Sequence, residues 1–137
     1  MKTPELSVPK TVTDGLTPEQ YRVLIVDDER LVRWSLMKAL QKANYLGTVA
    51  GTAEEALVQL RASTFDVMIT DMRLPGIDGF ALAAKAQESN PTCRVVMMTA
   101  FGDEASKERA KQMGIAYFID KPINLADMVW MVQRILK

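Results

Sequence analysis

From Tyr21 onward, short apolar runs alternate with longer stretches in which apolar residues recur every three or four positions. The runs are 21–26 (YRVLIV), 45–50 (YLGTVA), 66–70 (DVMIT), 94–98 (RVVMM) and 116–119 (AYFI), and they predict five strands. Continuous apolarity, rather than strict alternation, is the habit of parallel strands covered by helices on both faces. Between and after the runs, the three-and-four spacing predicts helices near 30–43, 53–63, 78–89, 103–113 and 124–136. In the first, Leu31, Val32, Ser35, Leu36, Ala39, Leu40 and Ala43 form one expected apolar stripe; in the last, Leu125, Met128, Val129, Val132, Ile135 and Leu136 do. Thr52 before Ala53-Glu54-Glu55 outlines a capping box, Asp103 and Asn124 are expected caps, and Gly114 is an expected left-handed stop. Strand–helix alternation with right-handed crossovers gives an α/β fold with a doubly wound parallel sheet; a helical bundle fits the pattern less well.

Residues 1–20 read differently. Pro4, Pro9 and Pro18 lie among polar residues, and Leu6, Val8, Val12 and Leu16 are too scattered to mark a face. The expected organisation is a flexible leader over 1–20 and one domain over 21–137.

Composition narrows the functional classes. The chain has 137 residues, 48% hydrophobic and 25% charged, which suits a single domain. No apolar stretch reaches the roughly 18 residues a membrane span needs, and no apolar region follows Lys2 as a secretory signal would require. The reading is therefore cytoplasmic, without a membrane partner. Seventeen basic residues balance seventeen acidic ones, which argues against direct nucleic-acid binding by phosphate neutralisation. One cysteine and no histidine exclude an intramolecular disulfide, zinc sites of the usual kind and His-dependent nucleophilic catalysis. Chemistry must run on carboxylates, hydroxyls and lysines. Cys93 reads as a small buried hydrophobe, the methionines (Met68, Met97 and Met98 among them) as core filler, and Trp34 and Trp130 as partly buried helix residues.

In an open α/β sheet the loops at the carboxyl ends of the strands meet at a crevice, so strand-end residues are the functional candidates. The first strand runs into Asp27-Asp28-Glu29, the third into Asp71, the fourth into Thr99-Ala100 and the fifth, past Asp120, into Lys121-Pro122. Any single carboxylate here has an ordinary alternative as a solvated helix cap. Three together would repel one another unless a cation joined them, and oxygen ligands without His or Cys point to Mg2+.

The segments VDDE at 26–29, ITDMRLPGIDG at 69–79, TA at 99–100 and KP at 121–122 resemble the response-regulator receiver domain of two-component signalling. The resemblance covers about residues 21–137, with spacings of 43 residues from Asp28 to Asp71, 28 to Thr99 and 22 to Lys121. LVRWSLMKAL at 31–40 is similar to receivers of the nitrogen-regulator-type AAA+ activator group. The resemblance implies a flavodoxin-like sheet of order 2-1-3-4-5 with five helices. It implies Asp71 as phosphoacceptor from a sensor histidine kinase, and Asp27, Asp28, Asp71 and the Arg73 carbonyl as Mg2+ ligands. Lys121 and Thr99 would contact the phosphoryl group, Thr99 and Phe118 would form the switch, and the Lys121–Pro122 bond is cis in the family. Arg73 and Phe101, two positions after Asp71 and Thr99, would cover the phosphoryl group and slow its loss.

On this reading the chain is not an enzyme acting on external substrates. It phosphorylates itself and loses phosphate slowly. A magnesium-dependent phosphohydrolase fits less well, because the connections are short and no Gly-rich phosphate cradle is present. A phosphorylation-independent scaffold has no residue in its favour. The expected output surface lies in 103–137, with Lys107, Lys111, Tyr117, Gln133 and Arg134 facing an output domain, a downstream protein or a second copy. Both a stand-alone receiver and the receiver part of a longer regulator are consistent with the chain.

Overall fold

A computed structural model describes residues 21–137, so the expected leader over 1–20 lies outside the described residues. In chain order the elements are β1 (Arg22–Val26), α1 (Arg30–Lys42), β2 (Leu46–Ala50), α2 (Ala53–Ala62), β3 (Val67–Asp71), α3 (Gly79–Ser89), β4 (Arg94–Thr99), α4 (Glu104–Gln112), β5 (Tyr117–Asp120) and α5 (Leu125–Ile135). The strands are parallel and ordered β2-β1-β3-β4-β5. The doubly wound architecture inferred from the hydrophobic runs is the one observed.

Alternate residues of each central strand feed two cores. Leu24, Val26, Met68, Val95 and Met97 face α2, α3 and α4 with Leu60, Phe65, Phe80 and Leu82, all buried. Val23, Ile25, Val67, Ile69, Val96 and Met98 face the other way, onto Leu36, Leu40, Met128 and Val132. Burial on both faces accounts for the unbroken apolar runs. Cys93 is 2% exposed, and burial, with Asp66 nearby, pushes its thiol up to about 11, so it is inert packing.

The helix ends follow their sequence signals. Asp103 accepts the Ser106 amide at 2.8 Å, Asn124 the Asp127 amide at 2.9 Å, and Gly114 sits at φ +74° after α4. The capping box of α2 is half realised: Thr52 accepts the Glu55 amide at 3.1 Å, but Glu55 accepts the Gly51 amide at 2.7 Å instead of that of Thr52. Two expected stripe residues face outward. Leu31 is 71% exposed and Leu125 39%, because both lie in the first turns of their helices, beyond the edge of the sheet. Trp34 and Trp130 are exposed rather than partly buried, and each carries a cation over its ring, from Lys38 and Arg134.

One glycine sets how closely α3 approaches β3. Gly79 donates its amide to the Met72 carbonyl at 2.6 Å, and a Cβ there would strike the Asp71 carbonyl and lie 2.9 Å from Met72 Cα. Both are backbone atoms and cannot swing aside. Gly79→Ala is predicted to lose about 2–3 kcal/mol of stability by overpacking, seen as a lower urea midpoint at unchanged slope. A midpoint equal to wild type would show that this close approach is absent in solution.

Candidate functional site

The carboxyl ends of β1, β3, β4 and β5 deliver Asp27, Asp71, Thr99 and Lys121 to one edge of the sheet. Asp71 and Thr99 are the last residues of their strands, one position further into the ladder than the hydrophobic runs mark. Both are buried, at 8% and 1% exposure, and so is Asp27. Parallel pairing sets Asp71 beside Met98 and Thr99 beside Asp120.

Lys121 is the hub. Its ammonium donates to Asp27 Oδ2 at 2.8 Å and Asp71 Oδ2 at 2.9 Å, and lies 3.4 Å from Glu29 Oε1. The Lys121 amide donates to the Thr99 carbonyl at 2.7 Å, which holds this residue against the end of β4, and the bond to Pro122 is cis. Burial alone would lower the ammonium's pKa, but hydrogen bonds and charge from Asp27 and Asp71 outweigh it and hold the group above its ordinary value. Asp27 is raised, chiefly by burial, against the pull of Lys121 and the Glu29 amide, which Asp27 Oδ1 accepts at 2.8 Å.

Asp28 completes the acidic group. One carboxylate oxygen from each of Asp27, Asp28 and Asp71 lies within 4.8 Å of the others. Asp28 is exposed, so the cluster opens to solvent on that side. Hard oxygen donors at this spacing, with an ammonium already drawn among them, fit a small divalent cation such as Mg2+.

Thr99 and Phe118 flank the loop that carries Phe101 and Gly102. Thr99 Oγ1 accepts the Phe101 amide at 3.1 Å. The Phe101 side chain stands 79% exposed and covers nothing in this conformation. Arg73 is also exposed. Its amide donates to Asp71 Oδ1 at 3.1 Å, and its charge reaches Asp103, whose carboxyl is lowered first by the Ser106 amide and hydroxyl and then in part by Arg73. Phe118 is half-buried and stacks on Phe80 at 6.4 Å between centroids, while Tyr117 packs on the opposite face, as the two-residue period requires. Among the output-surface candidates Lys107, Lys111, Gln133 and Arg134 are exposed and Tyr117 is half-buried.

Two residues that lie within the quoted segments make contacts that the segments do not foretell. Glu29 adds the third carboxylate at Lys121, and Arg33 Nη1 donates to the Asp27 carbonyl at 2.7 Å. Beside Lys121 a groove of about 510 Å3 runs between α1 and the β5–α5 turn, lined by Leu31, Val32, Leu36, Ile123 and Leu125.

The family described as response regulator receiver domain matches residues 23–133. The DNA-binding transcriptional regulator NtrC of Salmonella typhimurium is 35% identical over 112 residues, 82% of this chain but 24% of that protein. The response regulator receiver protein CpdR of Brucella abortus is 30% identical over 84% of this chain and 96% of its own length. A two-component response regulator from Clostridium difficile superposes with a TM-score of 0.81 at 26% identity, over 85% of this chain and 96% of that one. The non-phosphorylated HemR receiver domain of Leptospira biflexa gives 0.80 at 28%, over 86% and 95%.

Removing the ammonium tests the electrostatics directly. Lys121→Met keeps the stem but leaves Asp27 buried without its cation, and is predicted to lose about 3 kcal/mol of stability. Asp27→Asn in that background is predicted to recover part of the loss, because it removes the unpaired charge. Denaturant melts of the single and double variants check this; a double variant less stable than Lys121→Met would contradict it.

Proposed function

Since the chain belongs to the response regulator receiver domain family and is a receiver of two-component phosphorelay signalling, we propose that Asp71 accepts a phosphoryl group from a sensor histidine kinase. The observation that carries this reading is the Lys121 ammonium, 2.9 Å from Asp71 Oδ2 and 2.8 Å from Asp27 Oδ2 at the open edge of the sheet. A carboxylate oxygen of Asp71 attacks phosphorus in line, the P–N bond of the phosphohistidine breaks, and the histidine leaves as the acyl phosphate forms.

Asp27, Asp28 and Asp71, with the Arg73 carbonyl, would hold Mg2+, which supplies positive charge to the phosphoryl oxygens. Lys121 already lies on Asp71 and turns from its carboxylate to a phosphoryl oxygen. The Thr99 hydroxyl, which accepts the Phe101 amide, keeps its proton to donate to the same group. Drawing Thr99 inward moves the 100–103 loop against Phe118, since a Cβ on Gly102 would meet Phe118 Cε2 at 3.0 Å and Thr99 Cγ2 at 3.1 Å. The 103–137 surface passes the signal to an output domain, a downstream protein or a second copy. Among the described residues no helix is long and apolar enough to cross a membrane, and we place this exchange in the cytoplasm. The chain spans about a quarter, 24%, of the NtrC length, and transcriptional output of that kind would need a partner or segment outside residues 21–137.

Asp71→Asn keeps the shape and lacks the nucleophile. With Mg2+ and acetyl phosphate or phosphoramidate, intact mass is expected to show one added phosphoryl group on wild type and none on the variant. Stoichiometric labelling of the variant at another residue would sink the assignment. The lifetime of the phosphorylated state follows from Arg73 and Phe101, neither of which offers a carboxylate or amide to orient an attacking water. Phe101 covers the phosphoryl group only once its loop has closed, and Arg73 adds a cation beside it. Arg73→Asn and Phe101→Ala are therefore expected to lose label faster than wild type at fixed Mg2+. Decay rates within about twofold, a barrier difference of ~0.4 kcal/mol, would rule out shielding.

A further inference from the structure

We infer that Arg33, on α1, is a positioning residue for the metal-binding carboxylates: its guanidinium holds the main chain of the β1–α1 turn so that Asp27 and Asp28 face one cation. This rests on the reading of Asp27, Asp28 and Asp71 as the Mg2+ site.

The helix itself gives Arg33 no reason to be there. α1 begins with Arg30 and has no acidic residue in its first turn, and its N-cap Glu29 makes no side-chain cap. Cations at that end oppose the helix dipole. The acidic cluster beyond the helix end offers the compensation, and Arg33 turns back to it. Nη1 donates to the Asp27 carbonyl at 2.7 Å in a half-buried position, a short charge-assisted bond.

That bond completes the restraint of Asp27. Its amide donates to the Ala50 carbonyl at 3.2 Å, Oδ1 accepts the Glu29 amide and Oδ2 accepts Lys121. With Arg33 on the carbonyl, each polar group of Asp27 is tied to a partner. Asp28 has no such ties: its carboxylate is exposed and has no hydrogen-bond partner among the described residues. Its direction is set by the main chain on either side, which on the Asp27 side is the peptide that Arg33 holds.

A second contact shows that space is kept for the guanidinium. A Cβ on Gly51, just past β2, would lie 3.0 Å from Arg33 Nη1 and 3.4 Å from Cζ. The Gly51 amide is meanwhile fixed to Glu55 Oε1 at 2.7 Å, so the backbone there does not yield easily. A methyl group at 51 makes the guanidinium give way by a few tenths of an ångström from its place on the Asp27 carbonyl; it also meets Glu55 Oε1 at 3.6 Å, an ordinary contact, but none of Asp27, Asp28 and Asp71. The charge of Arg33 acts the other way, since it repels a divalent cation. Positioning and charge therefore predict opposite signs when Arg33 is neutralised.

The test is the Mg2+ dissociation constant of the full chain, titrated through amide chemical shifts, alongside thermal melts without metal. Wild type, Arg33→Gln, Arg33→Lys, Gly51→Ala and the Arg33→Gln/Gly51→Ala double variant are compared, with Asp28→Ala as the reference for lost binding. Arg33→Gln is expected to weaken Mg2+ about tenfold, the usual scale for a group that orients a ligand. Arg33→Lys is expected to restore part of this, because it keeps a cationic donor. Gly51→Ala is expected to weaken Mg2+ less, and the double variant to bind no more weakly than Arg33→Gln, since both changes break one contact. A merely structural role would lower the melting temperatures and leave the constant alone.

An Arg33→Gln constant within about twofold of wild type, with binding lost in Asp28→Ala, overturns the role of Arg33 and leaves the metal site standing. Tighter binding in Arg33→Gln overturns it in favour of charge. Equal Mg2+ responses in wild type and Asp28→Ala remove the metal site and the inference with it. Should Arg33→Gln fail to fold, unchanged constants in both Arg33→Lys and Gly51→Ala overturn the inference.

Discussion

Three carboxylates converge at one edge of this sheet, and the molecule must hold them there against their own repulsion. At 4.8 Å a pair of like charges repels by about 3 kcal/mol at an effective dielectric of about 20, while an ammonium under 3 Å from a carboxylate attracts by about twice that. Lys121 makes two such contacts, at 2.8 and 2.9 Å, so its attraction is of the same size as the summed repulsion of the three acid pairs and largely offsets it. Desolvation remains as the opposing cost, and it is visible in Asp27, whose carboxyl is raised chiefly by burial despite its cation. The site is held together by a charge that sits on two of the three clustered carboxylates, those of Asp27 and Asp71.

The rest of the fold serves that convergence. Parallel strands place their carboxyl ends on one edge, and two cores with alternating inward residues leave the strands no freedom to slip. Close backbone approaches then trim the geometry. Gly79 lets α3 start against the end of β3, and the Met72 amide, donating to Met98 at 2.7 Å, carries the ladder one residue past Asp71. Asp71 is thereby fixed by main-chain contacts on both sides, which leaves its carboxylate free to meet Lys121.

How much of this was legible in the sequence depended on the range of the signal. Elements read from local periodicity, such as the five strands and the caps at Thr52, Asp103 and Asn124, match to within a residue or two at their ends. Strand-end placement alone brought Asp27, Asp71, Thr99 and Lys121 to one edge, because topology does that without any side-chain detail. What stayed hidden was tertiary. Leu31 and Leu125 carry the right periodicity but project past the sheet, and no spacing rule records where a sheet stops. Glu29 was readable as part of an acidic run, yet its contact with Lys121 spans 92 residues. Arg33 left only a negative trace, a cation where a helix prefers an acid.

The same close packing that fixes the site also fixes the direction in which it responds. Phe118 lies between two neighbours of different kinds. On one side is Phe80, stacked at 6.4 Å and itself covered by the Arg109 guanidinium at 4.3 Å, which ties β5 to α3 and α4. On the other is Gly102, where an added Cβ would lie 3.0 Å from Phe118 Cε2 and Asp120 Oδ1 and 3.1 Å from Thr99 Cγ2. Close contacts of this kind leave little slack to absorb a displacement locally. A shift of Thr99 toward Asp71 therefore has to carry the Gly102 backbone with it and alter its contact with Phe118. Because Phe118 is coupled through Phe80 to Arg109, that change reaches α4, whereas Tyr117, on the opposite face of the same strand, packs with the α1 and α5 core. On the proposed switching of Thr99, the asymmetry between the faces of β5 would direct movement from the carboxylate edge toward α4, away from the side of the sheet on which α1 carries Arg33.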